Sequence, residues 1–170
     1  MWLSTPSAFP GHTETRHHWK AMTMNDDLTE IVGLAGKRLP GGVTTVTAME
    51  SEIADHALLS PGLDPGTAHP LWFLILALRG MGISVDELCE LANKGDDDVL
   101  LFGTCEIEQL RPISVGDQYR TTAEITATDR RTTRDGSFLD SVTVLVGVYG
   151  TDGTDFGSVE SAYLFKRSSR

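Results

Sequence analysis

The stretch Pro70-Leu71-Trp72-Phe73-Leu74-Ile75-Leu76-Ala77-Leu78 is apolar without a break, and it constrains the fold more than any other part of the chain. A surface helix carries polar residues on its outer face. This run carries none, so it predicts a helix surrounded by protein on every side. It is too short to span a bilayer, and Arg79 ends it. Pro70 suits the first turn, where its missing N–H would have no partner in any case. Gly80-Met81-Gly82 interrupts the helix, and Ser84 then caps a second segment, Val85 to Ala92. Glu87 completes a Ser-x-x-Glu capping box there, and Asn93-Lys94-Gly95 ends it. A helix of this kind needs an apolar surface to lie on, and the rest of the chain must supply it.

Beyond Gly95 the period changes to two. In Val99 to Leu110, Cys105, Ile107 and Gln109 alternate against Glu106 and Glu108. Gln118 to Thr128 sets Ala123, Ile125 and Ala127 against Thr122, Glu124 and Thr126. Ser137 to Tyr149 places Val142, Val144, Val146 and Val148 on one face, and Ser158 to Lys166 is the last strand. The charged link Asp129 to Gly136 reads as a long hairpin loop, with Arg130, Arg131 and Arg134 in solvent or, in a functional reading, gripping phosphate groups. Upstream, Asp26 or Asp27 caps a short helix, Leu28 to Ala35. A turn, Pro40-Gly41-Gly42, leads into a strand, Val43 to Thr47, and Glu50 to Leu59 reads as another short helix. Antiparallel hairpins can offer one apolar face to a single helix. The expected class is therefore α+β, an antiparallel sheet wrapped around a long buried helix, the hot-dog fold.

The net charge of −10, with no Lys/Arg cluster on any expected helix or strand, argues against nucleic acid or an anionic membrane as partner. Cys89 and Cys105 show no metal-ligand or CxxC spacing, so both read as buried, reduced thiols of a cytoplasmic protein. Residues 1–27 have neither helical nor strand period and read as a disordered leader, with His17-His18 more naturally a feature of a tail than a metal site. Residues 28–170 read as one domain.

Two places resemble the MaoC-like acyl-thioester hydratases and dehydratases. Leu110-Arg111-Pro112-Ile113-Ser114-Val115-Gly116-Asp117 is similar to that family's "rPv..GD" turn, in which Pro ends one strand and Gly-Asp opens the next. Asp64-Pro65-Gly66-Thr67-Ala68-His69 resembles the family's catalytic Asp-x-Asn-Pro-x-His in its Asp-to-His separation, with Gly66-Thr67 standing where the family has Asn-Pro. The resemblance implies that Asp64 orients or deprotonates a water and that His69 exchanges a proton with the substrate. Carboxylate and imidazole reference pKa values of about 4 and about 6.5 suit that exchange near neutrality. It also implies backbone N–H groups of Trp72 and Phe73 as oxyanion donors at the start of the buried helix. The helix begins directly after His69, so Ala68-His69-Pro70-Leu71-Trp72 also matches the family's helix start. On that alignment the catalytic loop is deleted and Asp64 lies in a shortened connection.

The resemblance implies hydration or dehydration of a 2-enoyl (3-hydroxyacyl) thioester of coenzyme A or acyl carrier protein, with no cofactor and no metal. Two other readings stay open. One is an acyl-CoA thioesterase using Asp64 or Glu50 to direct water. The other is a non-catalytic hot-dog subunit that completes a partner's active site. His56, next to Asp55, reads as an exposed helix residue, and the Trp72 and Phe73 side chains read as core. An open sheet edge implies a homodimer, or a heterodimer with another hot-dog chain. Deleting Met1 to Thr23 is expected to move the thermal midpoint by less than about 2 °C, since the leader has no apolar period with which to dock. A calorimetric scan of the two chains side by side checks it.

Overall fold

The computed structural model describes residues 31, 33–60, 64, 66–168. The leader, His17-His18 and half of the Leu28 to Ala35 helix fall outside them. The elements are β1 (Arg38–Thr45), α1 (Ala48–Ala57), α2 (Trp72–Gly80), α3 (Val85–Leu91), β2 (Val99–Gln109), β3 (Gln118–Thr132), β4 (Phe138–Gly150) and β5 (Asp155–Lys166). The strands form one antiparallel sheet in the order β1-β3-β4-β5-β2.

The sheet curves around α2, and the sequence periods explain the contact. Val142, Val144, Val146 and Val148 of β4 are all buried on the concave side, with Val159, Tyr163 and Phe165 of β5 and Ala123 and Ile125 of β3 beside them. Against this face α2 buries Trp72, Phe73, Leu76 and Ala77. Each large side chain buried in this way contributes roughly 1.5–3 kcal/mol relative to exposure. The helix is not enclosed on all sides as its sequence predicts. Leu78 is 42% exposed and Leu74 and Ile75 are half-buried, because the sheet wraps one flank of a nine-residue helix and nothing in the described chain covers the other.

Several boundaries differ from the sequence reading. Pro40-Gly41-Gly42 is not a turn before the strand but lies inside β1, at a register shift between Leu39 and Gly42. Gly41 adopts φ +70, and a Cβ there would meet the Thr121 carbonyl oxygen at 2.4 Å. A Cβ on Gly80, the last residue of α2, would strike the Thr121 side chain at 2.5 Å. The buried Thr121 hydroxyl donates to the Gly80 carbonyl at 2.7 Å. The two glycine clusters therefore do one job: they let the C-terminal end of α2 sit directly on β1 and β3. The helices α1 and α3 are capped as their sequences imply, by Thr47 and by the Ser84/Glu87 box.

The first half of the expected loop Asp129 to Gly136 is strand, since β3 runs to Thr132. Arg130 is not in solvent but reaches the concave side, where Asp140 is fully buried. Asp140 accepts from Arg130 Nη2 at 2.8 Å and from Arg167 Nε at 2.5 Å. Arg167 also donates to Asp98 at 2.8 Å and to the carbonyls of Asn93 at 2.9 Å and Ala92 at 2.7 Å. These groups tie β3, β4, the end of β5 and the C-terminus of α3 together. Burial pushes the Asp98 carboxyl up, but hydrogen bonds from Arg167, Ser168 N–H and Gly95 N–H outweigh it and hold the group below its ordinary value. The stability it contributes is present above the unfolded carboxyl pKa of about 3.9 and is lost as pH falls through the lower folded value.

Asp140→Asn leaves Arg130 and Arg167 facing each other without their shared carboxylate. The expected cost is about 3–5 kcal/mol, as for other buried pairs deprived of one partner. In a chain of this size that lowers the thermal midpoint by on the order of 10 °C, which circular dichroism melting reads directly.

Candidate functional site at the start of the central helix

The two segments that carry the family resemblance meet in space. Ala68 N–H donates to the Ile113 carbonyl at 2.8 Å and Val115 N–H to the Gly66 carbonyl at 2.8 Å, with Thr67 bridging to Ser114. Gly116 takes φ +91 and donates to the Val46 carbonyl at 2.7 Å, and Val46 N–H returns a bond to Asp117 at 3.2 Å. Ser114 N–H donates to the buried Tyr119 hydroxyl at 2.8 Å. Burial raises the Tyr119 phenol, and the Ser114 bonds oppose that shift. The turn after β2 thus clamps the segment leading into α2.

That segment opens as a tight turn. Thr67 N–H donates to the Asp64 carbonyl at 2.9 Å, and Gly66 has φ +85, the left-handed conformation a turn of this kind asks of glycine. The Asp64 side chain is exposed and His69 is half-buried. Among the described residues no hydrogen bond or ion pair joins them. The His69 ring is engaged otherwise: its Nδ1 accepts from Leu71 N–H at 3.1 Å, which leaves Nε2 to carry the proton of the neutral ring. Trp72 N–H donates to the His69 carbonyl at 2.8 Å and Phe73 N–H to the Pro70 carbonyl at 3.0 Å. The N–H groups expected as free oxyanion donors are closed, because the chain tightens into three-residue turns ahead of α2.

The other singled-out groups are elsewhere. Glu50 accepts from the Thr47 hydroxyl at 2.6 Å and pairs with Arg79 at 3.0 Å. The Thr47 bond first, and then Arg79, lower its carboxyl, which makes it a weak base for directing water. His56 is exposed at the end of α1, as its position implies. Arg131 and Arg134 are exposed, and Arg130 belongs to the buried ion cluster. Cys89 is half-buried with its thiol raised by burial, but Cys105 is exposed, because β2 is an edge strand of the sheet. Trp72 has one feature that its sequence context does not reveal. Its side chain is core, as expected, yet its indole N–H is buried without a partner. Only the tertiary packing decides that.

A five-stranded antiparallel sheet holding a helix in its concavity is the hot-dog fold. The chain matches no protein-family sequence model and no curated protein sequence. Among solved structures it is similar to a chain of the C-terminally truncated HadBC (3R-hydroxyacyl-ACP dehydratase) complex from Mycobacterium tuberculosis. The identity is 16% and the TM-score 0.58, over 77% of this chain and 96% of that one. It is similar to a chain of the ChsH1-ChsH2 complex from the same organism at 14% identity and TM-score 0.58, over 86% and 93%. A MaoC-like dehydratase superposes at 17% identity and TM-score 0.56, over 79% of this chain and 42% of the larger one. The likeness to MaoC-like hot-dog proteins is one of fold. No helix among the described residues is long and apolar enough to cross a membrane.

His69→Ala removes the acceptor of the Leu71 N–H and is expected to cost about 1 kcal/mol, as for other lost helix-start caps. Asp64→Asn, at an exposed side chain, is expected to change stability by less than about 0.5 kcal/mol. Urea titrations of the two variants against the parent chain measure both.

Proposed function

We propose that this chain acts on 2-enoyl or 3-hydroxyacyl thioesters of coenzyme A or acyl carrier protein, catalysing reversible addition of water. The observation that carries the reading is the joining of the 110–117 turn to the 66–68 segment at the start of α2. It sets Asp64 and His69 at the two ends of one short, clamped stretch. In the forward direction Asp64 takes the proton that water loses as its oxygen attacks the β-carbon. His69, once its Nδ1 has released the Leu71 N–H and taken up a proton, gives its Nε2 proton to the α-carbon, and the proton held by Asp64 returns to the ring to complete the cycle. The reverse sequence eliminates water. The carbonyl charge of the enolate is met by N–H groups at Trp72 and Phe73 once the turn ahead of α2 opens. The fold relatives include a hydroxyacyl dehydratase complex, which suits this substrate class. Two of them are two-chain complexes, which suits a tunnel shared between protomers that pair through their sheet edges.

The closed N–H groups and the separate Asp64 and His69 side chains favour one further reading, a subunit that completes a partner's active site. Crotonyl-CoA separates the outcomes. Loss of enoyl absorbance marks hydration, release of free thiol from an acyl-CoA marks hydrolysis, and silence in both marks the partner-dependent subunit. For a hydratase, Asp64→Asn and His69→Ala are each expected to lower turnover by roughly a hundredfold to ten-thousandfold. The double variant should fall little below the worse single one, because the pair acts as a unit. Near-normal turnover in both single variants would assign catalysis to other residues.

A further inference from the structure

The sheet has two edges, and they are not alike. At β1 the edge is short and broken by Pro40, the Gly41-Gly42 bulge and the seat of α2. At β2 it is eleven residues long, and ten of those positions are exposed. The pairing with β5 fixes which side each residue takes. Phe102, Cys105 and Ile107 lie opposite the buried Tyr163, Ser161 and Val159, on the concave side, while Leu101, Glu106 and Glu108 lie opposite Leu164, Glu160 and Ser158 on the convex side. An edge built to stay in water carries polar or charged groups along its length. Here Phe102 is 49% exposed, Leu101 45% and Ile107 39%, so a partner strand is needed to cover them.

The charge on this edge decides which partner. Glu106 stands directly across from Glu160, with Glu108 on the same face. The whole of Val99–Gln109 contains no Lys, Arg or His, and Lys166, at the far end of β5, is already paired with Asp135 at 2.9 Å. Any register of β2 against its own copy therefore adds carboxylates to carboxylates and supplies no cation from the strand. Where residues 105–109 oppose the same segment of a copy, Glu106 and Glu108 face glutamates directly, an arrangement that destabilises antiparallel pairs. The net charge of −10 on each chain adds to the penalty.

We infer that β2 is the docking edge for a different protein chain, whose own edge strand pairs with it antiparallel and presents Lys or Arg to Glu106, Glu108 and Glu160. The apolar residues of β2 give this contact its burial, and the carboxylates give it selectivity against a second copy. The inference rests on the edge-to-edge assembly of the proposed function and names the chemistry of the partner in it.

A charge-reversed copy of the full-length chain serves as the probe. In sedimentation velocity at micromolar concentration and low salt, the wild-type chain and the E106K/E108K variant are each expected to run as monomers. Their equimolar mixture should run as a dimer that dissociates as salt rises. Adding Ile107→Asp to the reversed copy should abolish the mixed dimer. E106Q/E108Q, which removes the repulsion without reversing it, should self-associate and covers the case of a reversed copy that fails to fold, which circular dichroism would show. A salt-insensitive wild-type dimer would make a second copy the occupant and overturn the inference. Monomers in every mixture, with E106Q/E108Q also monomeric, would show an edge that pairs with nothing. The readout is mass alone, so a chain inactive on crotonyl-CoA that still forms the mixed dimer separates failure of the activity reading from failure of this one.

Discussion

The close seating of α2 on the sheet is the contact on which the other features depend. A helix of nine residues offers few apolar contacts, so it must approach the strands closely to bury Trp72, Phe73 and Leu76 well. Glycines at 41, 42, 80 and 82 permit that approach around Thr121, where a Cβ at position 41, 80 or 82 would collide. Dispersion and burial both fall steeply with separation, so an opened seat would weaken the whole concave core. The same seating fixes where the helix begins. With the far end anchored on β1 and β3, the start of α2 has one place to emerge, beside the turn after β2.

At the opposite end the structure uses charge instead of apolar contact. Asp140 is shared by Arg130 and Arg167, and Arg167 continues to Asp98 and to the last carbonyls of α3. A buried cluster of this kind gains little net free energy, because desolvation offsets much of the attraction. It does impose geometry: the end of β5, the hairpin of β3 and β4, and α3 must all be in place together for any of these groups to be satisfied.

The site inherits its character from both constraints. His69 serves as a cap for Leu71, and the first N–H groups of α2 are spent on nearby carbonyls. A catalytic role for these groups needs this tight stretch to loosen when substrate or partner arrives. Leu78 on the outer flank of α2 and Phe102 and Ile107 on the concave side of β2 are all exposed.

How much could be read from the chain follows from what is local. The valine alternation of β4, the Ser84/Glu87 box and the Thr47 cap are set by neighbours within a few residues, and the hot-dog class follows from them together with the apolar run of α2. The Gly116-Asp117 turn was legible for the same reason. The outcome at Gly41 and Gly80 was not, because glycine reads as a stop signal in sequence whether it ends an element or admits a neighbour. Arg130 read as a loop residue since its partner, Asp140, comes across a hairpin ten positions on. The spacing of Asp64 and His69 was visible, but whether two side chains separated by a turn point together depends on the bonds from Ile113 and Val115. Those residues come from another part of the chain, and only the tertiary structure brings them there.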